Sequence, residues 1–116
     1  MGSRVKTPEG QLLRAVLDLL AAKHVLAFRI GVGAMKVEDR FMRWGTPGMS
    51  DILAFPPFVH ANTWLTGQLT VPTWIECKAP KGVQSALQKS FQKQVEEHGH
   101  RYAIIRDLSE LEDLLR

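Results

Sequence analysis

The segment TWIECKAP, residues 73–80, places one acid and one base inside an otherwise apolar stretch. Glu76 and Lys78 are two residues apart, so on an extended strand their side chains lie on one face while Cys77 points to the other. Two interpretations are open at this point. The pair either forms a surface ion pair on an edge strand, worth less than about 1 kcal/mol, or belongs to a site.

On these residues alone the ion pair is favoured, because an acid-x-Lys tripeptide occurs by chance in most proteins, but a second acid, Asp51, could contribute to a site. It follows a Gly-Thr-Pro-Gly turn at the start of a predicted strand over 49–55, which we expect to lie beside the strand of Glu76. Carboxylates held close together repel each other unless a cation lies between them. A Mg²⁺ or Mn²⁺ ion held by Asp51, Glu76 and the backbone carbonyl of Cys77 would meet that requirement. Lys78 would then orient the attacking water or take its proton, and would offset charge on a phosphate.

The elements that position these groups follow from apolar periodicity and turn residues. Helical spacing after Thr7, the expected N-cap, predicts a helix over 8–23. Strands are predicted over 25–32, 49–55, 71–79 and 101–107, a second helix over 85–98, and a third helix that begins with a capping box of Ser109 and Glu112 and ends at Leu115. This order predicts one α/β domain over residues 1–116, with a mixed central sheet flanked by helices. A right-handed crossover through the helix over 85–98 should join two parallel strands.

The segment before the Gly-Thr-Pro-Gly turn alternates basic and aromatic residues. These are Lys36, Arg40, Arg43, Phe41 and Trp44. The pattern fits a loop that tracks phosphates and stacks a base, and it fits equally well a solvated hairpin whose aromatic residues cover the core. Residues 56–70 have no clear period, and we interpret them as a loop or a loose hairpin.

Composition sets the broad class. With 45% hydrophobic and 23% charged residues, the chain has the composition of a globular protein, and a formal charge of +3 favours a polyanionic partner. No apolar run reaches the roughly 20 residues that a membrane span needs, and no signal region is apparent, so we expect no membrane and a cytoplasmic location. The single cysteine, Cys77, is expected to be a buried apolar residue. His98 and His100 lack further ligands at metal-binding spacing and are interpreted as residues near a helix end.

Four stretches, GMSDIL, IECKAPKG, SALQ and HGHRYAII, together resemble the PD-(D/E)XK nuclease superfamily, and within it the stand-alone VRR-NUC domains of phages and bacteria. The resemblance covers nearly the whole chain, with Ser50 standing where the superfamily name has proline. It implies a restriction-endonuclease-like αβββαβ core and the cytoplasm of a bacterial or phage-infected cell. The site residues that it implies are Glu9, Asp51, Glu76, Lys78 and Gln88, the last within an S-x-x-Q match over 85–88.

The resemblance changes the interpretation of two residues. Glu9, at the edge of the apolar stripe of the first helix, would on helix patterning alone complement the helix dipole; the resemblance makes it a site residue that binds a metal ion or its water. Gln88 is implied to point at Lys78 or at a phosphate. Phosphate contacts are expected from Lys81, Lys89 and Lys93.

The function implied by the resemblance is that of a Mg²⁺- or Mn²⁺-dependent endodeoxyribonuclease. Stand-alone relatives act as homodimers on branched DNA such as four-way Holliday junctions, and the same is expected here. The alternatives are a nuclease that nicks flaps or duplexes, a catalytically inactive DNA-binding scaffold of the same fold, and a nuclease that acts on RNA or within a restriction-like system.

Overall fold

A computed structural model describes residues 8–31, 33–57 and 69–116, apart from the side chains at 34, 35, 37 and 42–44. Three helices and six strands lie in these ranges. The helices are α1 (Pro8–Ala22), α2 (Ala86–Glu97) and α3 (Leu108–Leu114). The strands are β1 (Leu26–Arg29), β2 (Gly33–Val37), β3 (Arg40–Trp44), β4 (Ile52–Phe55), β5 (Thr73–Cys77) and β6 (Arg101–Ile105).

Four strands form a mixed sheet in the order β1-β4-β5-β6. β4 pairs antiparallel with both β1 and β5, whereas β5 pairs parallel with β6. Because α2 is the connection between β5 and β6, the predicted helical crossover between parallel strands is confirmed. The α/β class with a mixed sheet is confirmed as well.

The main core lies between one face of this sheet and the helices α1 and α3. Alternate residues of β5, Ile75 and Cys77, point into it and have no exposed surface. Val16 and Leu20 of α1 meet them, one helical turn apart, and Leu111 of α3 closes the cluster. Cys77 is therefore a buried core residue, as its alternation with Glu76 and Lys78 predicts.

Helix α2 covers the opposite face of the sheet. Gln88, in its first turn, reaches Glu76, and Phe91 packs edge-to-face on Trp74 with ring centroids 5.0 Å apart. The helix begins near the carboxyl end of β5 and runs back along the strand. Glu76 therefore lies between the sheet and the start of α2.

Residues 33–44 form a hairpin. β2 and β3 pair antiparallel in a sheet of their own, and among the described elements they contact only each other. The solvated-hairpin interpretation is confirmed for the backbone, but the expectation that its aromatic residues cover the core is wrong for Phe41, which is 70% exposed. The reason is that the hairpin satisfies its own backbone hydrogen bonds without packing on the main sheet.

The observed strands are shorter than the predicted ones, and Lys78 lies just beyond β5. Pairing with β4 ends there because the backbone N–H of Cys77 donates to the Asp51 carboxylate at 2.8 Å and not to a main-chain carbonyl. Pairing towards β6 continues for one more bond, from Lys78 N–H to the carbonyl of Ile105 at 3.0 Å. The strand therefore ends at the residues of the candidate site.

The predicted capping box of Ser109 and Glu112 is wrong. Asp107 is the N-cap of α3, and its carboxylate accepts the backbone N–H groups of Ser109 and Glu110. A carboxylate two residues earlier in the chain thus binds the free N–H groups of the first turn. The expected N-cap of α1, Thr7, lies outside the described residues.

The predicted loop over 56–70 falls mostly outside the described residues. Its described ends meet in a single antiparallel bridge between Pro57 and Thr70. None of the helices in the described ranges combines the length and the apolar character needed to cross a membrane.

Candidate metal centre

Three acidic side chains from three different elements meet at one end of the main sheet. Glu9 comes from the first turn of α1, Asp51 from the turn before β4, and Glu76 from β5, and each offers a carboxylate oxygen within 4.8 Å of the others. A cavity of about 230 Å³ opens beside them. It is lined by Glu9, Gly10, Leu13, Asp51 and Cys77. The predicted convergence of these acids is thus present, and it includes Glu9.

Asp51 is fixed by hydrogen bonds to both neighbouring strands. Its backbone N–H donates to the carbonyl of Ile75 at 3.1 Å, and its carbonyl accepts the N–H of Ile30 at 2.7 Å. Its carboxylate accepts the N–H of Cys77. The side chain is therefore held at the junction of β1, β4 and β5, directed towards the residues around Glu76.

Gly48, three residues before Asp51, is a position that sequence reasoning missed. Its φ is +83°, and a Cβ built there would lie 2.5 Å from the carbonyl carbon of Leu87 and closer still to its oxygen. Only glycine fits this contact without a shift in the backbone. The turn that carries Asp51 consequently packs directly on the first turn of α2. The signal in the sequence is the Gly-x-x-Asp spacing.

Gln88 holds the start of α2 and the Glu76 carboxylate at once. Ser85 Oγ accepts the backbone N–H of Gln88 at 3.1 Å, and Gln88 Oε1 accepts the backbone N–H of Ser85 at 2.8 Å, which is a capping box. The Nε2 group of Gln88 donates to Glu76 Oε1 at 3.0 Å. Gln88 therefore joins the predicted site, but its partner is Glu76 and not Lys78.

Glu76 is the most strongly perturbed group of the cluster. It is 2% exposed, and its Oε2 atom has no hydrogen-bond partner among the described residues. Burial, followed by the charge of Asp51, raises the pKa of Glu76 from 4.5 to about 8. Near neutral pH this carboxyl therefore either keeps a proton or needs a cation against it.

A surface ion pair between Glu76 and Lys78 is excluded. β5 lies inside the sheet and not at its edge, and Glu76 is buried. The ion pairs among the described residues are Arg14–Asp18 and Arg116–Asp113, both on exposed side chains. The half-buried Lys78 lies near enough to lower the pKa of Glu76 by its charge. Its ammonium is thus close to the carboxylates without being tied to one of them.

Comparisons with known proteins add no relative to this description of the site. No family model, no curated protein sequence and no solved structure matches it. Membership of the PD-(D/E)XK superfamily stays a prediction from the motifs. What the chain does is therefore argued from its own residues.

The thiol of Cys77 has no role as a nucleophile in this arrangement. Burial, together with the charges of Asp51, Glu76 and Glu9, raises the pKa of the Cys77 thiol to about 12. A thiol in that state is neutral at any physiological pH. Cys77 contributes to the site through its backbone and to the core through its side chain.

Gln84 and Tyr102, on the α2 side of the sheet, were not predicted to lie near the site. The Nε2 group of Gln84 donates to Gln92 Oε1 at 2.9 Å and to the hydroxyl of Tyr102 at 3.1 Å. The charges of Glu76 and Asp51 both act to raise the pKa of Tyr102, after the larger effect of burial. Tyr102 pairs with Trp74 in the parallel register, so a period of two along β6 would have placed it on this face.

The basic residues predicted to bind nucleic acid occupy two places. Lys36 and Arg40 are exposed on the β2–β3 hairpin, apart from the carboxylates, and the side chain of Arg43 lies outside the described part of the chain. Three exposed lysines are nearer to the site in sequence, in or just before α2: Lys81, Lys89 and Lys93.

The two histidines behave as expected for residues near a helix end. His98 is the C-cap of α2, with Nδ1 at 2.8 Å from the carbonyl of Gln94. His100 lies on the other side of Gly99, where its ring meets Trp74.

Proposed function

We propose that this chain is a metal-dependent endonuclease that hydrolyses phosphodiester bonds in DNA. The observation that carries the proposal is the buried Oε2 atom of Glu76, which has no hydrogen-bond partner among the described residues and lies against the charge of Asp51. An oxygen in that position is stable only with a proton or a cation beside it. Together with Glu9, the acids offer the oxygen ligands that Mg²⁺ and Mn²⁺ prefer.

The roles of the side chains follow from their placement. A bound Mg²⁺ or Mn²⁺ would supply a water of lowered pKa and a positive charge beside the phosphate. Asp51 and Glu76 would hold the ion, together with Glu9 and the backbone carbonyl of Cys77. Lys78, close to Glu76 without an ion-pair partner among the described residues, orients the attacking water or takes its proton and neutralises charge on the phosphate.

The order and pairing of the elements support a restriction-endonuclease-like core. Helix α1, the antiparallel strands β1, β4 and β5, helix α2 and the parallel strand β6 follow the expected αβββαβ order. In this interpretation the β2–β3 hairpin is an insertion between the first two core strands. The motif resemblance to VRR-NUC domains supports the same assignment.

DNA is the substrate best suited to the surface around the acids. Lys89 and Lys93 are four residues apart on α2, so they lie on one face of the helix, and both are exposed. The net charge of +3 favours a polyanion. Contacts of this kind bind the backbone of any sequence and weaken as salt rises.

The preference for branched DNA and the homodimer rest on the resemblance. A small domain covers little DNA, whereas two copies related by a two-fold axis present two active sites to a symmetric junction. Paired incisions at a four-way junction would follow. Static light scattering checks the dimer: a monomer at micromolar concentration contradicts the two-site arrangement.

The test of the function is incubation with four-way, flap, duplex and single-stranded DNA, and with RNA, in Mg²⁺, Mn²⁺ or chelator. Wild type should cut DNA only with metal, and Asp51→Asn and Lys78→Ala should not. Lys23→Ala serves as the lysine control, because Lys23 is exposed just after α1, at the opposite end of that helix from Glu9. Cleavage that persists in chelator, or in both variants, contradicts the mechanism. Binding to DNA without any cleavage by the wild type would instead identify an inactive scaffold.

A further inference from the structure

The rings of Trp74 and His100 form a single flat surface on the α2 side of the sheet. The indole N–H of Trp74 donates to Nδ1 of His100 at 2.9 Å, the ring centroids are 6.2 Å apart, and the planes differ by 16°. Because an indole N–H lies in the plane of its ring, the two rings lie side by side. Phe91 packs edge-on against Trp74 at 82° and supports it.

This surface borders a cavity of about 430 Å³. The size falls within the roughly 300 to 1,000 Å³ of small-molecule binding sites. The lining residues are Thr46, Trp74, Phe91, Gln94, Val95, His98 and His100. The wall therefore combines aromatic rings with a hydroxyl, an amide and imidazole groups that can hydrogen-bond the edge of a flat ligand.

The cavity and the acidic cluster lie on the same strand, β5, which contributes Trp74 to the cavity and Glu76 to the cluster. Trp74 lies two residues before Glu76 and on the same face of β5, so the two Cα atoms are about 6.6 Å apart at the usual rise of a strand. On α2, one helical turn separates Gln88, which contacts Glu76, from Phe91, which contacts Trp74. The rest of the cavity lining on the helix, Gln94, Val95 and His98, lies further along α2 from Gln88, so the cavity is more than one nucleotide step away from the acids.

We propose that this cavity receives an unpaired nucleobase of the DNA strand, within a few nucleotides of the bond that the acidic cluster cuts. The proposal rests on the nuclease function proposed above and narrows its substrate class. The base stacks on the Trp74–His100 surface, and its edge meets the polar residues of the rim. A paired base inside a duplex cannot reach such a cavity unless it is extruded, so unpaired nucleotides are bound in preference.

Binding in chelator tests the cavity without cleavage. Three labelled duplexes are compared by fluorescence anisotropy: one fully paired, one with a single bulged adenine, and one with an abasic residue at the bulge. Wild type should bind the adenine bulge about tenfold more tightly than the abasic bulge, the effect expected of one stacked base. His100→Ala and Trp74→Leu should lose that preference. Glu97→Ala, an exposed change at the end of α2 outside the cavity, should keep it.

Equal affinity of wild type for the adenine and abasic bulges overturns the cavity assignment, and this comparison needs no variant to fold. The nuclease function is judged separately, by cleavage with metal. A preference for the adenine bulge without cleavage supports the cavity and contradicts the nuclease. Cleavage without the preference does the opposite. With both present, the cut should map within a few nucleotides of the bulged adenine in Mg²⁺.

Discussion

Gln88 fixes Glu76 through an amide group whose orientation is set by the start of α2. Its Oε1 atom accepts the Ser85 N–H at 2.8 Å, so its Nε2 group is the end left to face Glu76, where it donates at 3.0 Å. One oxygen of Glu76 is thereby satisfied by the protein. The other, Oε2, is buried and has no partner among the described residues, in a carboxyl group that belongs to the acidic cluster. A helix cap thus orients a candidate metal ligand.

Gln88→Glu separates the capping role from the positioning role. Glutamate can still complete the capping box with Ser85, but it cannot donate to Glu76 and adds a further negative charge beside it. We expect cleavage to fall at least tenfold and the Mn²⁺ concentration for half-maximal rate to change. The matched control is Ser85→Ala, which weakens the helix by about 1 kcal/mol and leaves Glu76 untouched. Similar rate losses in the two variants would mean that Gln88 acts only as a cap.

The stability of the metal-free protein should fall as the pH rises. The pKa of Glu76 is raised from 4.5 to about 8 in the folded state, so the folded chain holds a proton that the unfolded chain has released. This contribution to the free energy of unfolding is complete below pH 4.5 and is lost as the pH passes through about 8. Each unit of pKa difference corresponds to about 1.4 kcal/mol, so urea melts in chelator should show a loss of a few kcal/mol.

Glu76→Gln should remove much of that pH dependence. The amide can accept from Gln88 as before, and its NH₂ group can donate to Asp51, so the metal-free variant should be more stable than wild type above about pH 8. Saturating Mn²⁺ at about 100 times its Kd should stabilise wild type by about 2.7 kcal/mol and the variant far less. A variant that is less stable than wild type in chelator at high pH would contradict the raised pKa of Glu76.

Gly48→Ala should destabilise the protein by roughly 2–4 kcal/mol, because the new methyl group meets the backbone of Leu87 in a left-handed conformation. Gly99→Ala is the matched control: φ is +81° there, but nothing lies within 4 Å of an added Cβ. It should cost only the conformational strain, about 1 kcal/mol. Chemical denaturation of both variants measures the difference. Equal costs would show that the contact between the turn and α2 is not tight.

The sequence was sufficient for the features that depend on period and local chemistry. Apolar spacing located α1 and α2, and alternation along β5 separated Cys77 from Glu76. The sequence also predicted that Asp51 and Glu76 lie close together, although the pairing of their strands is a long-range contact. Glu9 required the resemblance, because the helix dipole is by itself the better explanation of an acid in a first helical turn.

The remaining features depend on contacts that no local pattern encodes. The partner of Gln88 is decided by where α2 crosses β5, and the need for glycine at 48 by how closely α2 approaches the turn. The N-cap of α3 was predicted two residues too late, because Asp107 and Ser109 are both good capping residues and only the tertiary position of the helix selects one. Packing, and not propensity, decided each of these.

Lys78→Met should reduce the cleavage rate by about 10²-fold or more, the usual contribution of a group that transfers a proton. Stability should change little, because the aliphatic stem is retained and no ion pair among the described residues involves Lys78.

The pH dependence of Mn²⁺ binding tests whether Lys78 lies beside the acids. Lys78 lowers the pKa of Glu76, so its loss should raise that pKa above about 8 and move Mn²⁺ binding, measured by calorimetry, to higher pH. Lys81→Ala, an exposed lysine in the following turn, should leave the pH dependence unchanged. A variant with wild-type rate and an unshifted profile would remove Lys78 from the site and leave the acids as a metal-binding centre without a base.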